Sequence, residues 1–227
     1  MLHPFWYYQL YKEVFEKNRD YACEIDFINR IFPINGASVV EIGSGTGRHA
    51  EQLVKYRPLH LELVDIDMEA FYRLKEKFTQ SNVEIINADG FETGNQADLV
   101  VCMFSVVQQT SIDGFWSRVE LVRNRIVRKG CFVFEFIDTE KSESLFPSGL
   151  KNKLCESQDL NVFIETIYEE DQSIIRYSGT FRDREITYDA VLARLETEEL
   201  LKKYNGQITI QPLDNFGRRN LAAIRKI

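Results

Sequence analysis

Val39-Val40-Glu41-Ile42-Gly43-Ser44-Gly45-Thr46-Gly47 decides the reading of this chain. Two β-branched residues, an acid and a branched apolar residue run into three glycines at alternate positions. That is a buried strand breaking into a loop whose backbone must pass close to something, since glycine has no Cβ to hold a neighbour away. Asp65 follows 22 residues after Gly43, at the end of the apolar run Leu61-Glu62-Leu63-Val64. Asp89 follows 24 residues after Asp65, behind Val83-Glu84-Ile85-Ile86. In an open α/β sheet, ligands bind outside the carboxyl ends of the strands. Three strand ends, carrying glycines or an acid, outline a nucleoside pocket.

The charge pattern narrows the occupant. A dinucleotide loop, G-x-G-x-x-G, needs its third glycine at position 48, which is Arg48 here. Its ligand brings a pyrophosphate to the following helix. An acid inside the strand, Glu41, repels a pyrophosphate and suits a cationic ligand. A nucleoside bearing a positive sulfur, S-adenosylmethionine, satisfies both conditions. A nicotinamide-dependent enzyme on a similar sheet is the competing reading, and Arg48 weighs against it.

The run Glu41 to Gly47 resembles the first motif of class I S-adenosylmethionine-dependent methyltransferases. The resemblance implies that Gly43, Gly45 and Gly47 pass beneath the methionyl part, with Glu41 beside it. It implies that Asp65, followed by Ile66, takes the ribose hydroxyls. It implies that Asp89 accepts from the adenine amino group, with Gly90 and Phe91 on the same edge. A narrower resemblance is to bacterial N-methyltransferases acting on nucleotide-linked amino sugars. It is carried by Tyr7-Tyr8-Gln9-Leu10-Tyr11, by Asp20-Tyr21 with Glu24, by Cys102-Met103-Phe104-Ser105, and by the strand 186–195 running into helix 197–204. By that match Tyr11, Tyr21 and Phe104 face cofactor and acceptor. The group often carries a histidine five residues after the phenylalanine, where this chain has Gln109, which takes no proton at neutral pH. Tyr11 and Gln109 are the expected acceptor contacts.

With 227 residues, the chain has the length of one domain, or of one with an insertion. Acids number 35 against 28 bases, for a net charge of −7, and there is no basic block. Nucleic acid is therefore a disfavoured partner, because neutralising phosphates dominates such binding. Cys23, Cys102, Cys131 and Cys155 are scattered, with no C-x-x-C pair. Neither zinc nor a disulfide framework is indicated, and Cys102 and Cys131 read as packed thiols. No apolar run approaches a membrane span, and Met1-Leu2-His3-Pro4 carries no export signal, so a cytoplasmic location is expected. No metal constellation is visible.

Strands alternate with helical periodicity through strand four (97–104), a helix with Phe115, Val119, Val122 and Ile126, and strand five (131–136). The expected architecture is α/β: a doubly wound, mostly parallel, Rossmann-like seven-stranded sheet. An antiparallel meander of three strands (160–168, 174–181, 186–195) interrupts it after strand five, behind a polar, loop-like stretch at 139–157. Residues 1–138 and 196–227 then form the cofactor domain, and 139–195 an inserted subdomain. The aromatic segment with Phe5, Trp6, Tyr7, Tyr8, Tyr11 and Phe15, together with that insert, supplies the wall over the reacting group. The edges of the insert can pair with a second copy, which points to a homodimer. Glu135 and Asp138 read as exposed strand-end acids, open to an ammonium or to sugar hydroxyls. Arg218-Arg219 reads as a solvated turn or a contact for a diphosphate. His49 reads as a packed structural histidine, and His3 and His60 as surface residues. Function is then methyl transfer to a small molecule, most plausibly the amine of a nucleotide-linked amino sugar. The competing readings are O-methylation and a binding module that holds the cofactor without turnover.

Overall fold

The computed structural model describes residues 4–15, 19–92, 95–215 and 217–227. His3 and the side chain of Phe15 lie outside the described part. The chain opens with α1 (Phe5–Leu10), one π-helical turn (Tyr11–Phe15) and α2 (Tyr21–Ile31). Asp20 caps α2 by accepting from the Cys23 amide. Then follow β1 (Ser38–Ile42), α3 (Arg48–Leu53), β2 (His60–Asp65), α4 (Met68–Lys77), β3 (Val83–Asn87), β4 (Ala97–Cys102), α5 (Ile112–Arg125) and β5 (Ile126–Ile137). After α6 (Thr139–Leu145) come β6 (Asn152–Glu156), β7 (Leu160–Tyr168), β8 (Gln172–Phe181) and β9 (Arg184–Ala193). The chain closes with α7 (Thr197–Lys203), β10 (Ile208–Pro212) and β11 (Arg219–Arg225).

Seven strands form one sheet in the order β10-β11-β5-β4-β1-β2-β3. β1 to β5 pair in parallel, and β11 pairs antiparallel with both neighbours. The chain winds outward from β1 to β3, then returns to β4 on the other side of β1. This reversal opens a crevice at the carboxyl ends of β1 and β4.

Strand alternation sorts the side chains onto two faces. Val40, Ile42, Val64, Phe132 and Phe134 pack with Phe115, Val119 and Val122 of α5 and Leu200 of α7. Val39, Leu61, Leu63 and Val133 pack with Ile25 and Ile28 of α2 and Leu74 of α4. Helices therefore cover both sides, which is why the central strands read as continuous apolar runs.

Strands β6 to β9 form a separate antiparallel sheet in that order. Trp6 and Leu10 of α1 pack on its Leu160, Val162 and Tyr177. This sheet has four strands rather than three, and the stretch expected as a loop at 139–157 holds α6 and β6. Both escape a periodicity reading for physical reasons. α6 spans seven residues and has few apolar positions. β6 is an exposed edge strand with a register shift between Lys153 and Cys155, and edge strands are kept polar. Strand β5 begins five residues earlier than expected, at Ile126. Polar Arg128 and Lys129 hide that start, and the pairing of β4 with β5 slips between Ala97 and Leu99.

Candidate active site

The loop after β1 turns on positive-φ glycines. Gly43 has φ 72°, and a Cβ there would meet Val106 at 2.9 Å. Gly47 has φ 76° and precedes α3; a Cβ there would meet Phe78 at 2.7 Å. A side chain at either position would push the loop off its neighbours. Gly45 donates its amide to Asp65 Oδ2 at 2.7 Å, and the Asp67 amide donates to Oδ1 at 2.9 Å. The Asp65 carboxylate is thus aimed by two backbone donors and keeps free lone pairs. Burial raises its pKa, and the same two amides oppose the rise. Asp89 Oδ1 accepts from the Phe91 amide at 2.9 Å.

A cleft of about 1210 Å³, open to solvent, runs along these strand ends. Gly43, Gly45, Asp65, Ile66, Asp89, Gly90 and Phe91 line its floor. Tyr11, Gln109 and Phe104 line it from the other side, joined by Tyr7 and Tyr8 of α1. Tyr8 reaches across and donates to Asp67 in the loop after β2.

Three expected contacts do not line this cleft: Glu41, Gly47 and Tyr21. For Glu41 the reason is alternation. It points to the face of Val39, toward α2 and α3, and is 2% exposed. Its Oε1 lies 3.9 Å from His49 Nδ1, and its Oε2 has no hydrogen-bond partner among the described residues. Burial pushes its pKa up to about 8, so at neutral pH it is mostly a neutral acid. It therefore supplies little of the negative charge that the sequence reading assigned to it. Gly47 instead shapes the entry to α3. Tyr21 stands behind the wall, 6.4 Å from Phe104 and 4.9 Å from His49, ring to ring.

Behind Phe104 lies a buried ionic network that the sequence reading missed. Glu135 is 2% exposed, not a solvated strand-end acid. It accepts from Arg19 Nη2 at 2.5 Å, from Arg219 Nε at 2.9 Å and from the Phe104 amide at 2.8 Å. Burial alone would raise its pKa; the two arginines outweigh burial and hold it at about 2. Glu24 accepts from Arg19 Nε at 2.9 Å and from Arg219 Nη2 at 3.2 Å. His49 Nε2 lies 2.8 Å from Glu24 Oε2. Burial lowers the pKa of His49, leaving a neutral ring that donates from Nε2. Arg219 is thus committed to protein carboxylates rather than to a diphosphate, and Arg218 pairs with Asp214 at 3.4 Å. The Arg19 guanidinium also covers the Phe104 ring at 3.7 Å. Phe104 and Ser105 both have positive φ, 56° and 54°. Such strain in non-glycine residues persists only where surrounding contacts enforce it, and Glu135 and Arg19 do so here.

Asp138 is buried as well, and it closes the base of the second sheet. It caps α6 through the Lys141 amide and accepts from Thr197 Oγ1 at 2.5 Å. Arg118 is another missed residue. It lines the cleft, and its Nη1 donates to the carbonyls of Val106 and Gln109 at 3.2 and 3.0 Å. Its position three residues after Phe115, on the buried stripe of α5, is the signal that could have found it. His60, expected as a lone surface residue, lies with Glu62 and Glu84 in a cluster whose ligating atoms are within 4.8 Å of one another.

Residues 39–125 match the family model of a methyltransferase domain. Ribosomal RNA small subunit methyltransferase A of Mycoplasma mycoides is 35% identical over 78 residues, which is 33% of this chain and 29% of that protein. The chain thus spans less than a third of the length of the curated relatives it matches. An S-adenosylmethionine-dependent methyltransferase from Clostridium acetobutylicum superposes with a TM-score of 0.77 at 16% identity, covering 97% of both chains. An amino pentose methyltransferase from Micromonospora echinaspora, involved in calicheamicin biosynthesis, superposes with a TM-score of 0.74 at 17% identity. That alignment covers 100% of this chain and 99% of the other. Residues 39–125, which carry the glycine loop and both strand-end aspartates, thus match a methyltransferase domain, and the chain as a whole shares the fold of these methyltransferases.

Proposed function

We propose that this protein transfers a methyl group from S-adenosylmethionine to the amine of a small molecule, with a nucleotide-linked amino sugar as the acceptor class. The observation that carries the cofactor assignment is Asp65. Both of its oxygens are aimed by backbone amides at the wall of the cleft, which suits a vicinal pair of hydroxyls. The donor set fits the rest of the ligand. Asp89 beside Gly90 and Phe91 offers an acceptor and an apolar edge for a purine, and the loop 43–46 offers close backbone. When bound, the cofactor supplies a methyl group on a positive sulfur, an intrinsically good leaving group.

What the chain itself contributes is position and exclusion of water. Tyr7, Tyr8 and Tyr11 close the cleft from the N-terminal side, and Arg118 fixes the carbonyl side of Gln109. Among the described residues that line the acceptor side, none is suited to take a proton at neutral pH. Burial, then the neighbouring Tyr21, push Tyr11 well above an ordinary phenol, so it stays protonated. Gln109 does not titrate, and His49 turns Nε2 to Glu24 and Nδ1 toward Glu41. A neutral amine attacks without a base, whereas a sugar hydroxyl must lose its proton on the way to the transition state. The site therefore favours N- over O-methylation. Two structural relatives, the amino pentose methyltransferase and a sugar N-methyltransferase, support an amino sugar as acceptor. The net charge of −7 weighs against RNA, the substrate of the curated relatives. The free, buried Cys102 and Cys131 accord with a reducing, cytoplasmic setting, and the open β6 and β9 edges with a homodimer.

Calorimetry with S-adenosylmethionine tests the foundation. Saturable binding that disappears in Asp65→Ala is expected. No binding at millimolar ligand, or undiminished binding by the variant, refutes the cofactor assignment. Release of S-adenosylhomocysteine with nucleotide-linked amino sugars, against their hydroxyl counterparts, tests the acceptor. Cofactor binding without turnover on any amine would favour a binding module instead.

A further inference from the structure

His60, Glu62 and Glu84 lie at the amino-terminal ends of β2 and β3, on the edge of the sheet opposite the cleft. About five residues of strand separate His60 from Asp65, or roughly 16 Å at the usual rise. Nothing in the methyl-transfer reading uses these three residues. His60 and Glu62 are two apart on one strand and share a face, and Glu84 is the register partner of Glu62 on the neighbouring parallel strand. Two like charges placed opposite each other on one face are unfavourable by themselves.

Glu62 sharpens the problem. Its residue is 0% exposed. Its Oε2 accepts from Asn95 Nδ2 at 3.1 Å, but its Oε1 has no hydrogen-bond partner among the described residues. A buried carboxylate oxygen with no donor is costly unless a cation meets it. Arg125 is within electrostatic reach of Glu62, yet none of its guanidinium nitrogens makes a hydrogen bond among the described residues. At the open side of the cluster, His60 Nε2 stands 3.5 Å from Glu84 Oε2. Two ligands bound at about 2.0–2.1 Å to one tetrahedral ion stand roughly 3.3–3.4 Å apart. Strand pairing alone has brought His60 and Glu84 to nearly that separation, with the ligating atoms of all three residues within 4.8 Å of one another.

We propose that His60, Glu62 and Glu84 form a binding site for a divalent cation of the zinc class, clamping β2 to β3 at the edge remote from the cofactor cleft. One imidazole and two carboxylates suit zinc better than calcium or magnesium, which want more oxygen ligands and no nitrogen. Asn95 holds the buried carboxylate in place, as outer partners of metal ligands do. The half-exposed flank of His60 and Glu84 leaves the fourth position to water.

The test titrates zinc chloride into the tag-free, chelator-treated full chain by calorimetry. One saturable equivalent is expected, weakened at least about tenfold in His60→Ala and in Glu84→Gln. Cobalt(II) should give the visible absorption of a tetrahedral site, and that band should vanish in His60→Ala. Glu84 is largely exposed, so Glu84→Gln reports on the site even where a change at buried Glu62 would unfold the chain. S-adenosylmethionine affinity should be the same in all these proteins, which keeps the outcome independent of the cofactor assignment. Failure to find a saturable equivalent, or equal zinc affinity in wild type and both variants, overturns the site. In either case Arg125 is the cation that serves Glu62.

Discussion

Glu41 and Glu135 sit on the same face of the main sheet, on strands that flank β4, and both are 2% exposed. One is pushed up to about 8 and the other held near 2. Burial acts on both in the same direction. The difference lies in what stands opposite. Glu135 faces two guanidinium groups and a backbone amide, while Glu41 faces a neutral imidazole and has an oxygen with no donor among the described residues. Of these two buried acids, only the one to which arginines have been brought is a fixed negative charge. Arg19 comes from the N-terminal segment and Arg219 from β11, so the charge exists only in the assembled fold.

The largest effect expected from this contrast is at Glu135. Glu135→Ala leaves two buried guanidinium groups short of a partner and frees the strained Phe104 turn. A loss of about 3–5 kcal/mol is expected, read by denaturant unfolding. The sign of the pH dependence follows from the depressed pKa. Glu135 contributes its stability in full above the ordinary value of 4.5, and that contribution is lost as pH falls toward about 2. The variant should lack this acid limb. An unchanged acid limb would mean that the arginines do not hold Glu135 ionised.

The opposite sign is expected at Glu41. Its raised pKa means that the unfolded chain releases this proton first, so stability falls as pH rises from about 4.5 to about 8, and is level above that. Glu41→Gln keeps the shape of the neutral acid and removes the titration. The variant should match wild type near pH 4.5 and exceed it by on the order of 4 kcal/mol near pH 8. Parallel stability curves for the two proteins across that range would show that Glu41 is ionised in the fold and that the contrast with Glu135 is false.

The same contrast separates what could be read in the sequence from what could not. The glycine loop, Asp65 and Asp89 were legible because each is a local device: a turn or a strand end whose geometry is set by its immediate neighbours. The placement of Glu41 was harder to read although its strand was recognised, because alternation along β1 sends it to the far face while Ile42 and Gly43 meet the cleft. Arg19, Glu135 and Arg219 come from segments far apart in the chain, and nothing local in their composition announces a network. The second sheet was legible where its strands alternate, at β7 to β9. It was illegible at α6 and β6, which are short, polar and held by neighbours. His60, Glu62 and Glu84 looked unrelated until parallel pairing set β2 against β3.

The smallest effect is expected where the second sheet joins the first. Asp138 lies at the end of β5, and both oxygens are used: Oδ1 for the Lys141 amide of α6, Oδ2 for the amide and hydroxyl of Thr197 at the start of α7. The chain leaves for the second sheet and returns from it at this one carboxylate. Thr139 and Leu195 reinforce the closure, each donating to the other across the neck. Unlike Glu135, Asp138 has no buried arginine depending on it; its cation, Lys141, is half exposed. Removing it costs a cap, three hydrogen bonds and a half-exposed ion pair, so Asp138→Ala should lose only about 1–2 kcal/mol. Hydrogen exchange decides where that loss falls. Faster exchange confined to α6, α7 and β6 to β9, with the main sheet unchanged, is expected if the neck holds the two sheets together. Faster exchange in β1, β4 and β5 would mean that Asp138 supports the core itself, as Glu135 does, and that the two carboxylates differ in degree rather than in kind.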